Sequence, residues 1–178
     1  MMNTKIPFEL IVQRHGPTVW RVCRALLRSP QDAEDAWAET FAAGFKAWPN
    51  LPGSTNAEAW LVTVARRKAI DVARGNTRRA IPAEELPEAG ERLSASSPED
   101  PEDAAVRRDD VDRLWDAVHR LPEGQRLAVT HHHLGGFTYR EVAEIIGGNE
   151  TSVRRAAADG MKNLRKNSRE ITEGEYHE

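Results

Sequence analysis

The stretch TYREVAEIIGGNETSVRRA, Thr138 to Ala156, predicts two helices joined by a tight turn. Thr138 and Glu141 have the spacing of a capping box, in which each residue satisfies a backbone N–H group at the start of a helix. Gly147 and Gly148 permit the positive dihedral angles that a sharp turn requires. A short helix, a glycine turn and a longer helix together predict a helix-turn-helix.

The start of the second helix carries side chains that suit contact with DNA. In a helix-turn-helix, the second helix enters the major groove with its N-terminal residues near the base edges. Arginine binds guanine edges in bidentate fashion, and serine or threonine contacts phosphates or bases. The candidates for this recognition are Thr151, Ser152, Arg154 and Arg155. An ordinary helical hairpin with a solvated basic face is the alternative that this pattern also permits.

The remaining segments are predicted to be helical, because apolar residues recur every three or four positions and alternating β-branched runs are absent. In the C-terminal half we expect helices over about 105–120 and 122–134. In the N-terminal half we expect one or two helices interrupted near Gly16–Pro17, since proline removes a backbone donor. Two more helices are expected there, one from a Ser29 cap to about Trp48 and one from an Asn56 cap to about Arg74.

Residues 80–104 separate the helical halves and are rich in proline, serine and acidic side chains. This composition is too polar, and too often broken by proline, to form a core. We therefore predict an all-α protein in which a flexible acidic linker at 80–104 joins two small helical domains. The domains are expected at 4–79 and 105–169, the second containing the helix-turn-helix, with a tail at 170–178.

The helix predicted after the Asn56 cap is strongly basic and is a second candidate for contact with nucleic acid. Cationic side chains can hold a phosphate backbone, and polar groups in an adjoining loop can contact an extruded base. The basic candidates are Arg66, Arg67, Lys68 and Arg74. The loop candidates are Asn50, Ser54, Thr55 and Asn56. Trp60 begins the apolar stripe of the helix, so we interpret it as a core residue rather than a stacking platform for bases.

The composition argues against several classes of protein. No apolar run approaches the roughly 18 to 20 residues that a membrane-spanning helix needs, and the N-terminus lacks the apolar stretch of a signal peptide. We therefore expect a cytoplasmic protein without membrane insertion. Cys23 is the only cysteine of the 178-residue chain, which excludes an internal disulfide and a multi-cysteine metal site.

The histidine run His131–His133 is the remaining candidate for a metal site. Adjacent side chains on a helix point about 100° apart, so the three cannot all reach one ion. We therefore predict no metal and no cofactor. The acidic cluster around Asp35 lacks a partner arranged as a nucleophile, and no phosphate-binding glycine loop is present, so we predict no enzymatic activity.

Three segments of the sequence, taken together, are similar to one protein family. They are DAEDAWAETF at 32–41, AWLVTVARRKAIDVARGNTRR at 59–79, and LPEGQRLAV at 121–129 followed by the helix-turn-helix stretch. In this order and spacing they resemble the bacterial RNA polymerase sigma factors of the extracytoplasmic-function (ECF) group. The resemblance covers both predicted domains, and it implies a subunit that recruits core polymerase, recognises a promoter and promotes strand opening.

The resemblance also implies which residues make each contact. The helix that holds the first segment would bind the largest polymerase subunit through Asp32, Asp35 and Glu39. The polar loop and the basic helix would capture a base of the proximal promoter element and support the DNA backbone there. The C-terminal domain would dock on the second-largest subunit and place the recognition helix at the distal promoter element. An anti-sigma factor is a further partner that the family implies.

Two alternatives to a sigma factor remain at this point. A stand-alone helix-turn-helix regulator would bind duplex operator DNA directly and need no polymerase, whereas free sigma factors of this type usually bind promoter DNA poorly. A protein-interaction module or metal-dependent enzyme centred on the histidine run is the second alternative. Binding to core polymerase separates the first from a sigma factor, and metal analysis separates the second.

Overall fold

The protein is described by a computed structural model over residues 6–79 and 101–174. Its helices are α1 (Phe8–Leu26), α2 (Pro30–Ala47), α3 (Ala57–Arg79), α4 (Pro101–His119), α5 (Glu123–Val129), α6 (Tyr139–Ile146) and α7 (Glu150–Gly174). A 3₁₀ turn at Trp48–Asn50 follows α2, and a π-helical segment at Thr130–Leu134 follows α5. The two described ranges contain no strand, so the all-α prediction is confirmed. The predicted linker lies outside the described residues over 80–100.

Helix α1 runs without a break through Pro17, which corrects the interruption that the sequence predicted near Gly16 and Pro17. Proline costs a helix one backbone hydrogen bond, and tertiary contacts offset that loss here. Gly16 is buried against α2, where Trp37 Nε1 donates to the Gly16 carbonyl at 3.0 Å. Ile11 and Val19, on either side of the proline, are buried in the core. Packing on both sides therefore holds the segment in one helix.

Helices α2 and α3 begin at the caps that the sequence predicted. Ser29 Oγ accepts a hydrogen bond from the backbone N–H of Asp32 at 3.2 Å, and Pro30 occupies the first helical position. Asn56 Oδ1 accepts a hydrogen bond from the backbone N–H of Ala59 at 3.1 Å. Both caps satisfy N–H groups that have no partner within the helix.

Three helix ends lie beyond their predicted positions. Helix α3 continues past Gly75 to Arg79, since a glycine inside an exposed helix costs only about 1 kcal/mol. Helix α4 begins earlier than expected, at Pro101, because proline is tolerated at a first helical position. Helix α7 extends to Gly174, into the predicted tail. None of the described helices is both long and apolar enough to cross a bilayer.

Helices α6 and α7 form the helix-turn-helix that the sequence predicted. The backbone N–H of Glu141 donates to Thr138 Oγ1 at 3.3 Å, and the backbone N–H of Thr138 donates to Glu141 Oε2 at 2.8 Å. These two bonds are the predicted capping box. In the turn, Gly147 has φ 80° and Gly148 has φ 123°. Glycine adopts these angles without the steric cost that a Cβ atom would bring.

The two domains are in direct contact, whereas the sequence predicted only that a linker joins them. Arg21 Nη1 of α1 donates to the Leu134 carbonyl at 2.7 Å. His119 Nε2 of α4 donates to the Arg24 carbonyl at 2.8 Å. The guanidinium of Arg24 lies 5.5 Å from the centre of the Trp115 ring, within cation–π range. Buried residues from both domains belong to one continuous core.

Candidate nucleic-acid and polymerase interfaces

The four predicted recognition residues lie together at the exposed start of α7. Asn149 caps this helix, because its Oδ1 accepts a hydrogen bond from the Ser152 backbone N–H at 2.9 Å. Ser152 Oγ in turn donates to the Asn149 carbonyl at 2.9 Å. Thr151, Ser152, Arg154 and Arg155 are all exposed. A helix N-terminus carries partial positive charge that favours a phosphate, so the charge at this helix end is compatible with the predicted DNA contact.

The two arginines of this helix end differ in their surroundings. Arg154 Nη2 donates to Glu150 Oε1 at 2.6 Å, and the guanidinium carbon of Arg154 lies 5.3 Å from the centre of the Tyr139 ring in α6. Arg155 Nε lies 3.9 Å from Asp159 Oδ2. Both ion pairs join exposed residues one helical turn apart, so each contributes little to stability. Arg154 alone of the two also contacts an aromatic ring.

The capping box at the start of α6 stabilises the negative charge of Glu141. The backbone N–H and the hydroxyl of Thr138 both donate to Glu141 Oε2 at 2.8 Å. These hydrogen bonds lower the pKa of Glu141, because they stabilise its carboxylate form. A negative charge at a helix N-terminus is favourable, so the local electrostatics support the helix start that positions Tyr139.

The candidate base-capture loop connects α2 to α3 and is largely exposed. Asn50 and Ser54 are exposed, and Thr55 is half-buried, with its backbone N–H donating to the Pro52 carbonyl at 3.0 Å. Asn56 is exposed, but its side-chain oxygen already caps α3. Asn50 and Ser54 therefore offer their side chains most openly to an extruded base.

The basic candidates of α3 fall into two groups. Arg67 and Arg74 are exposed, whereas Arg66 and Lys68 are half-buried. Lys68 Nζ lies 3.1 Å from Glu39 Oε2 of α2, and this ion pair links the basic helix to the acidic one. Arg67 and Arg74 thus present the more accessible cationic surface.

The acidic candidates of α2 differ in exposure. Asp35 and Glu39 are exposed and one helical turn apart, so their carboxylates lie on the same face of the helix. Asp32 is half-buried, and its backbone N–H is held by the Ser29 side chain. The structure therefore brings Asp35 and Glu39 together on one acidic face and leaves Asp32 less accessible.

An open groove separates α3 from α6, so the two candidate DNA surfaces are neighbours. Trp60 and Thr63 of α3 line the groove together with the Asn56 cap, and Glu141 and Glu144 line it from α6. Two acidic residues of α6 thus line the groove beside the start of α3.

The histidines of the π-helical segment differ in their surroundings. His131 is fully buried; its Nδ1 donates to the Leu127 carbonyl at 2.7 Å, and its Nε2 has no hydrogen-bond partner. Burial lowers the pKa of His131, the bond to Leu127 opposes this effect, and the charge of Arg66 lowers the pKa further. His132 Nδ1 instead donates to the Phe137 carbonyl at 2.6 Å. Within residues 6–79 and 101–174, no group of three or more His, Cys, Asp or Glu side chains could hold a metal ion.

Two sets of contacts in the structure were not predicted from the sequence. Tyr139 contacts Arg154 across the helix-turn-helix, and the only local signal for it is its position directly after the Thr138 cap. Arg24 and Trp115 join the two domains, and no local pattern marks them, because the two residues lie far apart in the chain.

Comparison with known protein families gives two matches. Residues 11–79 match the family described as Sigma-70 region 2, and residues 112–164 match the family described as Sigma-70, region 4. The first match holds the candidate polymerase and base-capture residues. The second holds the helix-turn-helix.

Individual proteins similar to this chain are ECF RNA polymerase sigma factors. The ECF RNA polymerase sigma factor SigD of Mycobacterium tuberculosis is 31% identical over 161 residues, which are 87% of this chain and 74% of SigD. The ECF RNA polymerase sigma factor SigE of Mycolicibacterium smegmatis is 30% identical over 158 residues, which are 89% of this chain and 60% of SigE. The chain thus spans less than two thirds of the length of SigE.

Solved structures show the same fold. The sigma factor RpoE in complex with the anti-sigma factor NepR from Bartonella quintana matches with a TM-score of 0.69 and 17% identity, over 91% of this chain and 96% of RpoE. CnrH in complex with the cytosolic domain of CnrY matches with a TM-score of 0.64 and 18% identity, over 89% of this chain and 85% of CnrH. At these identities the likeness concerns the fold alone.

Proposed function

This chain belongs to the ECF group of bacterial RNA polymerase sigma factors, and we propose that its two described domains bind core polymerase and contact two separate promoter elements. One observation carries the proposal: both family matches coincide with folded helical units, and each unit has accessible candidate residues at the position that the family resemblance implies. The chain would act by binding rather than as an enzyme, and it would act in the cytoplasm, where the polymerase is.

The C-terminal domain is proposed to read the distal promoter element. The exposed start of α7 carries Thr151, Ser152, Arg154 and Arg155, and the helix dipole favours an adjacent phosphate. Arginine side chains there can contact base edges in the major groove. The same domain would dock on the second-largest polymerase subunit.

The N-terminal domain is proposed to open the proximal promoter element. Asn50 and Ser54 are exposed in the loop before α3 and are the leading candidates to hold an extruded base, with Thr55 and Asn56 beside them. Extruding a base costs a few kcal/mol of unstacking, which contacts between cations and phosphates can offset. Those cations would come from the basic side chains of α3, which are Arg66, Arg67, Lys68 and Arg74.

The acidic face of α2 is proposed to bind the largest polymerase subunit. Asp35 and Glu39 are exposed on one face, which suits a partner surface with basic side chains, and Asp32 lies at the edge of that face. An anti-sigma factor is a further proposed partner, supported by the presence of such factors in a structure with the same fold.

The test of this function is promoter-specific transcription. Purified chain added to bacterial core polymerase should give transcripts from a defined start site, and core polymerase alone should not. Absence of any complex between chain and core would remove the proposal. Tight binding of the free chain to one duplex sequence, without core, would instead support a stand-alone regulator.

The polymerase contact has its own matched test. The double variant Asp35→Asn/Glu39→Gln should weaken binding to core, because two charges leave the interface while side-chain size is kept. Glu9→Gln, at an exposed position in the first turn of α1, removes a charge elsewhere and is the control. Affinity for core measured by fluorescence anisotropy should fall only for the double variant. Equal affinities for the double variant and the control would refute the assignment of this face.

A further inference from the structure

The guanidinium of Arg154 is held from two sides. Glu150 Oε1 accepts a hydrogen bond from Arg154 Nη2 at 2.6 Å within α7, and the Tyr139 ring lies 5.3 Å from the guanidinium carbon on the α6 side. We propose that Tyr139 is a positioning residue, which holds Arg154 ready to read one base of the distal promoter element. This inference rests on the proposed function, in which the start of α7 enters the major groove.

The Tyr139 ring is itself fixed, so it can act as a platform. It stacks on the His132 ring with centroids 3.9 Å apart and planes inclined by 25°. His132 Nδ1 donates to the Phe137 carbonyl at 2.6 Å, and this hydrogen bond fixes the His132 ring to the backbone. The capping box of Thr138 fixes the backbone immediately before Tyr139. The Tyr139 ring is therefore held by stacking on His132, and the backbone of Tyr139 is held by the capping box.

This arrangement leaves Arg154 able to bind a base edge. Guanidinium has five N–H donors, and Glu150 uses a donor on Nη2. A contact with an aromatic ring uses the positive charge of the guanidinium and no N–H group. The remaining donors can form the bidentate pair with guanine that arginine makes most often in the major groove. An arginine held in this way loses less freedom on binding than a mobile one.

Arg155 is the natural comparison within the same helix end. Its side chain is 87% exposed, against 63% for Arg154, and its Nε lies 3.9 Å from Asp159 Oδ2. Among the described residues, no aromatic ring contacts Arg155. We therefore assign base reading to Arg154 and phosphate contact to Arg155.

The experiment measures base preference with the complete holoenzyme. Core polymerase carrying this chain is incubated with a pool of double-stranded promoter fragments whose distal element is randomised, and bound fragments are sequenced. Arg154→Ala should lower the preference at one or two base positions by about tenfold or more. Tyr139→Leu should lower the preference at those same positions by about two- to fivefold, from loss of the ring contact. Tyr139→Phe, which keeps the ring, should retain the wild-type preference.

The other variants separate positioning from a structural role. Arg155→Ala should weaken binding to all fragments alike. Adding Tyr139→Leu to Arg154→Ala should change the preference no further, since the ring acts through the arginine. The proposal is overturned if Tyr139→Leu leaves the preference intact at the Arg154 positions, weakens every fragment equally, or acts additively with Arg154→Ala. If the wild-type holoenzyme enriches no distal sequence, the proposed function itself fails. This outcome is separate from a failure of the Tyr139 proposal, because it is measured without any variant.

Discussion

Cys23 illustrates how burial controls chemistry at the scale of one residue. The side chain is fully buried in α1, and burial raises the pKa of the thiol to about 12. The thiolate is the reactive form of cysteine. Because the pKa is raised, almost none of the thiolate exists at neutral pH in the folded protein. The single cysteine of the chain is therefore a core residue and no redox sensor.

We predict that Cys23 does not react with a thiol reagent such as DTNB at pH 8 in the native protein. Addition of urea should release one reactive thiol per chain with the same midpoint as the loss of helical circular dichroism, because global unfolding exposes the side chain. Rapid stoichiometric labelling before unfolding would show that the α1 core opens locally.

For single residues, the sequence predicted which side chains are exposed better than it predicted which residues they contact. Arg154 and Arg155 were expected at an exposed helix start and lie there. Arg24 had no predicted role, yet its side chain is only 6% exposed and contacts Trp115 of the other domain. Exposure at a helix start depends on local spacing, whereas burial of an arginine depends on a partner that the local sequence does not contain.

At the scale of elements, Gly160 allows α7 to approach α5 closely. A Cβ atom at this position would lie 2.6 Å from Val129 Cγ2 and 3.3 Å from the Gln125 carbonyl oxygen. Val129 is buried, so its methyl group has little room to move. The glycine is therefore needed for this helix crossing rather than for a turn.

Gly160→Ala should lower the free energy of unfolding by about 1–3 kcal/mol, the usual cost of forcing an extra carbon into a packed core. This loss should appear even though alanine favours a helix over glycine by about 1 kcal/mol. Urea unfolding followed by circular dichroism measures the difference.

Gly75→Ala is the matched control, because a Cβ atom there meets no other atom within 4 Å. In α3 the same replacement should raise the free energy of unfolding by up to about 1 kcal/mol through helix propensity alone. A stabilising effect at both glycines would argue against the close approach of α7 to α5.

At the scale of the whole molecule, contact between the domains buries His119. Burial lowers the pKa of His119, the hydrogen bond to the Arg24 carbonyl opposes this effect, and the charges of Arg126, Arg24 and Arg28 lower the pKa further. A histidine whose pKa is lower in the native than in the unfolded state binds fewer protons when folded. Its contribution to stability is therefore intact above the ordinary pKa of about 6.5 and declines as the pH falls through that value.

We predict that the free energy of unfolding falls between about pH 6.5 and pH 5, and that His119→Gln makes this fall shallower. Glutamine keeps an N–H donor for the Arg24 carbonyl but does not titrate. Urea unfolding of both proteins at several pH values gives the two slopes. His131, whose pKa burial also lowers, should maintain part of the slope in the variant. Identical slopes for the two proteins would show that His119 is not the titrating group.

The docked domains bring two candidate surfaces next to each other. Glu141 and Glu144 of α6 line the groove beside Trp60 of α3 and the Asn56 cap that precedes this helix. The N-terminal candidates for base capture and the C-terminal helix-turn-helix thus share a border in this arrangement. The sequence predicted each surface separately and gave no indication that they adjoin.

Local interactions account for what the amino-acid sequence alone determined. The helical class, the Ser29 and Asn56 caps, the Thr138–Glu141 capping box and the glycine turn before α7 all depend on residues within a few positions of one another. Such interactions form wherever the segment lies in the fold, so spacing and residue type were enough to predict them. The same holds for the accessibility of the candidate DNA contacts at the start of α7.

Tertiary structure alone decided the features that join distant segments. Packing of Gly16 against Trp37 keeps α1 continuous through Pro17, and the contacts of α1 with α4 bring the two domains together. The Tyr139 ring meets Arg154 only because the turn places α6 against α7. Each of these depends on burial and geometry between partners that no short stretch of sequence contains, and for that reason the pattern of residues could not predict them.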